Sequence, residues 1–219
     1  MTYSKAARRA FSLLELLIVI GLAVGLMLWA IPAWRGVRER HGLTLATCQM
    51  VAALEMARNH AMTQQTYVWL GLLEDSGDVL LSVVASKDGT LWFNPDNAGF
   101  VFPGEQLVQV GKLIRIERSR LAFLDPGSGD GHTLETRPAV NPEQGRIGEK
   151  TAKHSFDYPL HGPRRYRFNK TLFFTPRGEA IVNTTYNLRN VVEVALQSAG
   201  DTVVVQMTGV SGQVSVYKK

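Results

Sequence analysis

The sequence predicts an α+β fold in which one long N-terminal helix packs on a C-terminal antiparallel β-sheet domain. Three observations predict this fold. An apolar run opens the chain, an amphipathic helical pattern continues it, and short strand-like segments separated by turn residues fill the remainder. Because no helix-length segment separates the last strands, βαβ units and a parallel sheet are not expected.

The first ten residues form a basic leader. Lys5, Arg8 and Arg9 lie in this segment, which contains no acidic residue. The whole chain has 24 basic and 19 acidic residues, so 21 basic residues face 19 acidic ones beyond the leader. This near balance does not indicate a general polyanion binder. Three cations before an apolar run predict a cytoplasmic N-terminus, with the rest of the chain on the far side of the membrane.

Residues 11–34 are predicted to be a transmembrane helix. Leu16–Ile31 contains no charged or polar side chain, and the wider span holds a single carboxylate, Glu15. A bilayer core needs about 20 apolar helical residues, so this segment is long enough to span it. The expected localisation is the bacterial inner membrane, crossed once, with the C-terminal domain in the periplasm.

Two other interpretations of the apolar run explain less. A secretory signal peptide needs small residues at its cleavage site, but Trp29, Ile31, Pro32 and Trp34 occupy the far end. A plain membrane anchor gives no reason for Glu15, since a charge at that depth costs about 3 kcal/mol. The positive end of the helix favours a carboxylate there, but a surface position would serve equally well.

The segment Ala10-Phe11-Ser12-Leu13-Leu14-Glu15, followed by Leu16–Ile20, resembles the type IV prepilin signature. The resemblance implies cleavage between Ala10 and Phe11, removal of residues 1–10, and methylation of the new Phe11 amine. Glu15 would then be the fifth mature residue, as in the family, and Pro32 would fall where pilins commonly have a proline. Ala10 stands where the family usually has glycine, so we expect slower cleavage.

The same resemblance gives Glu15 a role in subunit assembly. Its carboxylate would pair with the Phe11 amine of a neighbouring subunit, and an unpaired buried charge costs enough to fix the register between subunits. Gly21 and Gly25 have the GxxxG spacing of close helix contacts. Together with Pro32 they also mark a place where the helix could bend or lose regular hydrogen bonding.

Residues 35–65 are predicted to continue the helix in amphipathic form. Apolar residues recur at spacings of three and four in this segment: Leu43, Ala46, Met50, Leu54, Ala57 and Ala61. One helix from about residue 11 to about residue 63 would be roughly 80 Å long. Its second half has one apolar stripe, which must pack against the sheet.

Residues 66–219 are predicted to form a periplasmic β-rich domain. The expected strands are 66–73, 79–85, 112–117, 121–124, 166–168, 172–175, 180–185, 191–197, 202–207 and 213–217, with a turn over 74–78. Residues 125–163 are rich in glycine and proline and are predicted to be a long surface loop.

Arg164, Arg165 and Arg167 lie in a basic stretch interleaved with aromatic residues. Phe156, Tyr158, Tyr166 and Phe168 could stack on single-stranded nucleic acid. The preferred interpretation is a solvated loop that feeds alternating strands, so nucleic-acid contact is not expected to be the main function.

Three further segments resemble the GspH/FimT group of minor pilins: Leu54–Ala61, Phe174–Ala180 and Ser211–Val216. The resemblance implies a structural subunit of a type II secretion pseudopilus, or alternatively a FimT-type minor pilin for pilus biogenesis or DNA uptake. The implied partners are the prepilin peptidase and methyltransferase, other pilin-like subunits and an inner-membrane assembly platform. Some FimT-type members bind DNA through a Gly-Arg-x-Arg tail, but Gly212–Ser215 lacks both arginines.

Neither an enzyme nor a cofactor-binding protein is expected from the sequence. The five histidines (His41, His60, His132, His154 and His161) have no metal-ligand spacing and no evident nucleophile partner. Cys48 is the only cysteine, so an intramolecular disulfide is impossible.

Overall fold

The computed structural model describes residues 13–91, 100–122, 137–138, 140, 145–147, 154–163, 165–182, 191–198 and 200–218, with the side chains of 28–41 left aside. The chain divides into two compact units, Met1–His41 and Gly42–Lys219. Helix α1 is assigned to Leu13–Gln64, and the side chains that can be described on it fall in 13–27 and 42–64.

The second unit is rich in short strands joined by turns. They are β1 (Val68–Asp75), β2 (Asp78–Ser86), β3 (Phe100–Val101), β4 (Leu107–Gln109), β5 (Ile114–Ile116), β6 (Arg120–Ala122), β7 (His154–Tyr158), β8 (Tyr166–Phe168), β9 (Lys170–Phe174), β10 (Ala180–Ile181), β11 (Val191–Ser198), β12 (Asp201–Thr208) and β13 (Val214–Lys218). A short 3₁₀ helix over Gly104–Gln106 leads into β4.

The predicted long transmembrane helix is wrong. Among the described residues, no helix is long and apolar enough to cross a membrane. The predicted fold class, which depended on this helix, and the predicted single-pass inner-membrane localisation are both corrected by this finding.

A six-stranded sheet forms the centre of the second unit. Its strands lie in the order β10-β9-β1-β2-β4, with β5 also paired to β2. β1 and β2 make a hairpin that closes at Ser76 and Gly77, both with positive φ (53° and 87°). Two central residues with positive φ match the twist of the flanking strands, so the turn fixes the hairpin register.

The six-stranded sheet is buried on both faces. Residues of α1 between Leu43 and Ala61 pack on one face, together with Leu70, Leu81 and Leu172 of the sheet. The other face carries Trp69 and is covered by the three-stranded sheet β3-β7-β8. Burial on both faces explains why β1 and β2 are nearly continuous apolar runs rather than alternating ones.

A second sheet, in the order β13-β12-β11-β6, completes the main core. Its inner face carries Val192, Val194, Val203 and Val205, which are buried in the same cluster as the helix. The opposite face carries Glu193 and Gln206, which are also buried.

The predicted loop over 125–163 contains a strand that the sequence analysis missed. β7 is parallel to β3 and antiparallel to β8. Its sequence, His-Ser-Phe-Asp-Tyr, contains three polar residues that only tertiary partners can satisfy. The His154 Nδ1 atom accepts a hydrogen bond from Trp69 Nε1 at 3.2 Å, and the His154 carbonyl accepts one from Thr171 Oγ1 at 2.8 Å.

Gly71 lets the three-stranded sheet approach β1 closely. A Cβ atom at this position would lie 2.7 Å from both Phe156 Cζ and Phe168 Cβ. We expect Gly71→Ala to lower the free energy of unfolding by about 1–3 kcal/mol, because both aromatic residues are buried and would have to shift. Denaturant unfolding measures this change.

Gly42→Ala is the matched control for Gly71→Ala. Gly42 is exposed on α1, and no atom of the described residues lies within 4 Å of a Cβ atom built there. Alanine favours a helix over glycine by about 0.5–1 kcal/mol, so this variant should unfold at the same or higher denaturant concentration. An equal loss in both variants would contradict the packing argument.

Candidate assembly surface

The first described stretch of α1 exposes a continuous apolar surface, here called the apolar stretch (residues 13–27). Its large apolar side chains are all between 52% and 81% exposed: Leu13, Leu14, Leu16, Leu17, Ile18, Val19, Ile20, Leu22, Val24, Leu26 and Met27. Scattered apolar residues on a protein surface are ordinary, but a contiguous patch of this size marks an interaction site.

Glu15 is the single charged residue of the apolar stretch. It lies in the first turn of α1 and is exposed, as are its apolar neighbours. An acidic group near a helix N-terminus is stabilised by the helix dipole. If another apolar surface covered the stretch, this carboxylate would be desolvated, and a cation beside it would offset that cost.

Gly21 and Gly25 lie in open space on the same stretch. Among the described residues, no neighbouring atom lies within 4 Å of a Cβ atom built at either position. The described residues therefore do not account for these two glycines, and the GxxxG spacing stays a prediction about contacts with another helix. Pro32 belongs to α1, but its side chain lies outside the described part.

The predicted cleavage and methylation site lies outside the described residues. Ala10 and Phe11 both precede Leu13, where the described chain begins. Cleavage between them, methylation of the new amine and removal of the leader 1–10 therefore stay predictions from the sequence.

The basic stretch is less available to nucleic acid than its composition indicated. Arg167 Nε and Nη2 donate to the two carboxylate oxygens of Asp157 at 2.9 and 3.3 Å. This hydrogen bond and the charge of Asp157 raise the pKa of the Arg167 guanidinium above its ordinary value. Arg165 is exposed, whereas Arg164 lies outside the described residues.

Two of the aromatic residues in that stretch belong to the core. Phe156 and Phe168 are fully buried, and their rings stack with centroids 5.2 Å apart. They are therefore unavailable as a stacking platform for bases. Alternation in the sequence could not show which face of β7 and β8 was covered.

A buried charged cluster on the outer face of the second sheet was missed entirely. Glu193 Oε2 accepts from Arg137 Nε at 2.9 Å, and Glu193 Oε1 accepts from Arg146 Nε at 3.2 Å. Gln206 Nε2 also donates to Glu193 Oε2, at 2.8 Å. The charged side chains are at most 4% exposed, so this cluster fastens the segment around Arg137 and Arg146 to the sheet.

Arg58 joins the three segments that carry the GspH/FimT resemblance. Its Nε atom donates to the Gly178 carbonyl at 3.0 Å, and its guanidinium fills the space where a side chain at Gly212 would lie. Both glycines have positive φ, 81° and 65°. The helix and the two turns thus meet at one arginine, and any larger residue at Gly212 would displace it.

The described residues contain no group of three or more His, Cys, Asp or Glu side chains that could hold a metal ion. Comparison with protein-family models, with curated proteins and with solved structures finds no match.

Proposed function

We propose that this protein is a structural assembly subunit of the minor pseudopilin or pilin kind, and that it works by helix packing rather than by catalysis. The observation that carries the proposal is the apolar stretch, eleven large apolar side chains each more than half exposed on one short length of helix. Fully burying one such side chain is worth about 1.5–3 kcal/mol, so covering the stretch is a strong driving force for association.

The occupant that best fits the apolar stretch is a set of similar helices from neighbouring subunits. Leucine, isoleucine and valine dominate the stretch, and Gly21 and Gly25 let a second helix backbone approach closely. Glu15 adds specificity, because a partner that brings a cation to this carboxylate offsets the cost of burying its charge. The amine released by cleavage before Phe11 is such a cation.

The convergence at Arg58 also supports this class of protein. The three segments that resemble GspH/FimT proteins are far apart in sequence, yet they surround a single side chain. Sequence segments that are shared within a family because they stabilise one part of the fold are expected to lie close together in the structure. Within the proposal, the type II secretion pseudopilus is the preferred machine, and the peptidase, sister subunits and assembly platform are the partners.

Placing a charge in the apolar stretch tests the proposal. In Leu17→Lys, we expect at least a tenfold loss of association with other copies or sister subunits, because burying an unpaired ammonium group costs several kcal/mol. Pull-down of full-length tagged and untagged chains from the same cells measures this.

Leu45→Lys is the matched control for Leu17→Lys. Leu45 lies on the same helix, outside the apolar stretch, and is 60% exposed against 66% for Leu17. The control should associate like the unaltered chain. If Leu17→Lys and Leu45→Lys associated to the same extent, the proposal would be wrong.

A further inference from the structure

β13 lies at one edge of the second sheet, and within the described part of the chain no strand pairs with its outer side. It pairs with β12 and ends the strand order β13-β12-β11-β6. With five residues it is longer than β6 at the opposite edge, which has three. Tyr217 packs against Ala195 and Val204, and Val214 packs against the main core, so the strand is held in place on both faces.

The hydrogen-bond pattern shows which backbone groups face away from β12. Thr208 N donates to the Gln213 carbonyl at 3.0 Å, and the Thr208 carbonyl accepts from Gly212 N at 2.7 Å, so the hydrogen-bonded pairs of the hairpin start at Thr208. Such pairs alternate along an antiparallel ladder, so Ser215 and Tyr217 bond to β12. The N–H and C=O groups of Val214 and Val216 therefore point outward from the sheet.

The exposed side chain in the middle of β13 is apolar. Val216 is 41% exposed, whereas strand edges that resist pairing are normally protected by charges, proline or bulges. Lys218 brings a charge only at the end of the strand. The centre of β13 thus combines outward backbone donors and acceptors with an exposed valine.

We propose that β13 pairs with β13 of a second copy of this chain, antiparallel and centred on Val216. In this register Val216 faces Val216 of the second copy, Val214 faces Lys218, and Ser215 faces Tyr217. A parallel in-register pairing would instead place the two Lys218 residues directly opposite each other, which is unfavourable. The antiparallel contact is self-complementary, so it closes a two-fold dimer.

This contact is separate from the apolar stretch and goes beyond the proposed function. It joins two four-stranded sheets into one continuous sheet and covers Val216. In the register centred on Val216, all five residues of each β13 face a residue of the other. Any other antiparallel register leaves residues at the strand ends unpaired.

Cysteine cross-linking of the full chain tests the dimer. Cys48 is first replaced by serine, which removes the chain's only cysteine. Val216→Cys in this background should give a cross-linked dimer with a short bis-maleimide, because the two Cα atoms would lie about 5.5 Å apart. Val210→Cys is the matched control, since Val210 is similarly exposed (45%) but lies in the β12–β13 turn.

We expect at least fivefold less dimer from the control. Adding Val214→Pro to the Val216→Cys chain should also reduce the dimer at least fivefold, because proline removes an outward donor and leaves the ladder to β12 intact. If the proline variant unfolds at a lower temperature than the parent chain, the test is the amount of cross-linked dimer from Val216→Cys compared with Val210→Cys. Equal cross-linking at the two positions, or none at either in a folded chain, overturns the proposal.

The cross-linking result at position 216 does not depend on the proposed function. In the Leu17→Lys background, cross-linking through position 216 should persist while association through the apolar stretch is lost. If cross-linking were lost in that background, the contact at position 216 would depend on assembly through the helix. The proposal of a separate β13 dimer would then be wrong.

Discussion

Replacing Glu193 with alanine is expected to lower the free energy of unfolding by about 3–5 kcal/mol. The carboxylate is the shared partner of Arg137 and Arg146, and all three side chains are at most 4% exposed. Its removal leaves two buried guanidinium groups without the anion that faces them. It also deprives Gln206 of an acceptor on the same face of the sheet. A loss of this size is a large part of the stability of a typical domain.

Denaturant unfolding of Glu193→Ala beside two controls measures the effect. Glu117→Ala removes a carboxylate from an exposed position and should change the stability by no more than about 0.5 kcal/mol. Glu193→Gln keeps the shape and one acceptor oxygen but removes the charge, so it should fall between the two. The cluster would have no structural role if Glu193→Ala unfolded at the same denaturant concentration as Glu117→Ala.

The sequence pattern predicted those parts of the fold that depend on interactions between residues close together in the chain. The stripe from Leu43 to Ala61 faces the sheet, as its three- and four-residue spacing indicated. The β1–β2 hairpin turns at Ser76 and Gly77, inside the turn expected over 74–78. The helical spacing is enough to predict the buried stripe, and the turn residues are enough to predict the hairpin, without knowledge of distant contacts.

Tertiary contacts decided what the sequence analysis missed. Arg137 and Arg146 lie in a segment rich in glycine and proline, and their anchor at Glu193 is about 50 residues away. One signal was present in the sequence. Glu193 interrupts an apolar strand, Val-Val-Glu-Val-Ala-Leu, and a charge that alternates into a buried face needs a partner. β7 gave no such signal, because His154 is hydrogen-bonded to Trp69 on β1 and Asp157 to Arg167 on β8, which the local sequence does not reveal.

The apolar run near the N-terminus shows the limit of hydropathy. Its length predicted a transmembrane span, but in the described part of the chain no helix meets that requirement. Apolar composition alone does not distinguish a surface covered by lipid from one covered by other helices. The position of Glu15 is more informative, because a carboxylate amid exposed leucines favours a partner that brings a cation, whichever surface covers them.

Replacing Glu15 with alanine is therefore expected to block assembly without harming the folded domain. The alanine chain should still be cut before Phe11, but the new amine would have no carboxylate to meet when apolar stretches pack together. An unpaired buried charge costs about 3–5 kcal/mol, which corresponds to at least a hundredfold loss of assembly. Glu15→Gln should lose nearly as much, because it keeps the shape but not the charge. Glu15→Asp should retain part of the function.

Three measurements on the same samples separate the possible causes. Intact mass shows whether the mature chain begins at Phe11, thermal unfolding shows whether the β-rich domain is unchanged, and pull-down with sister subunits reports assembly. A second substitution distinguishes charge from bulk: Ser12→Glu in the Glu15→Ala chain restores a carboxylate three residues earlier and should not rescue assembly if register matters. Wild-type assembly of Glu15→Ala, with cleavage confirmed, would show that apolar packing alone holds the subunits and that the carboxylate sets no register.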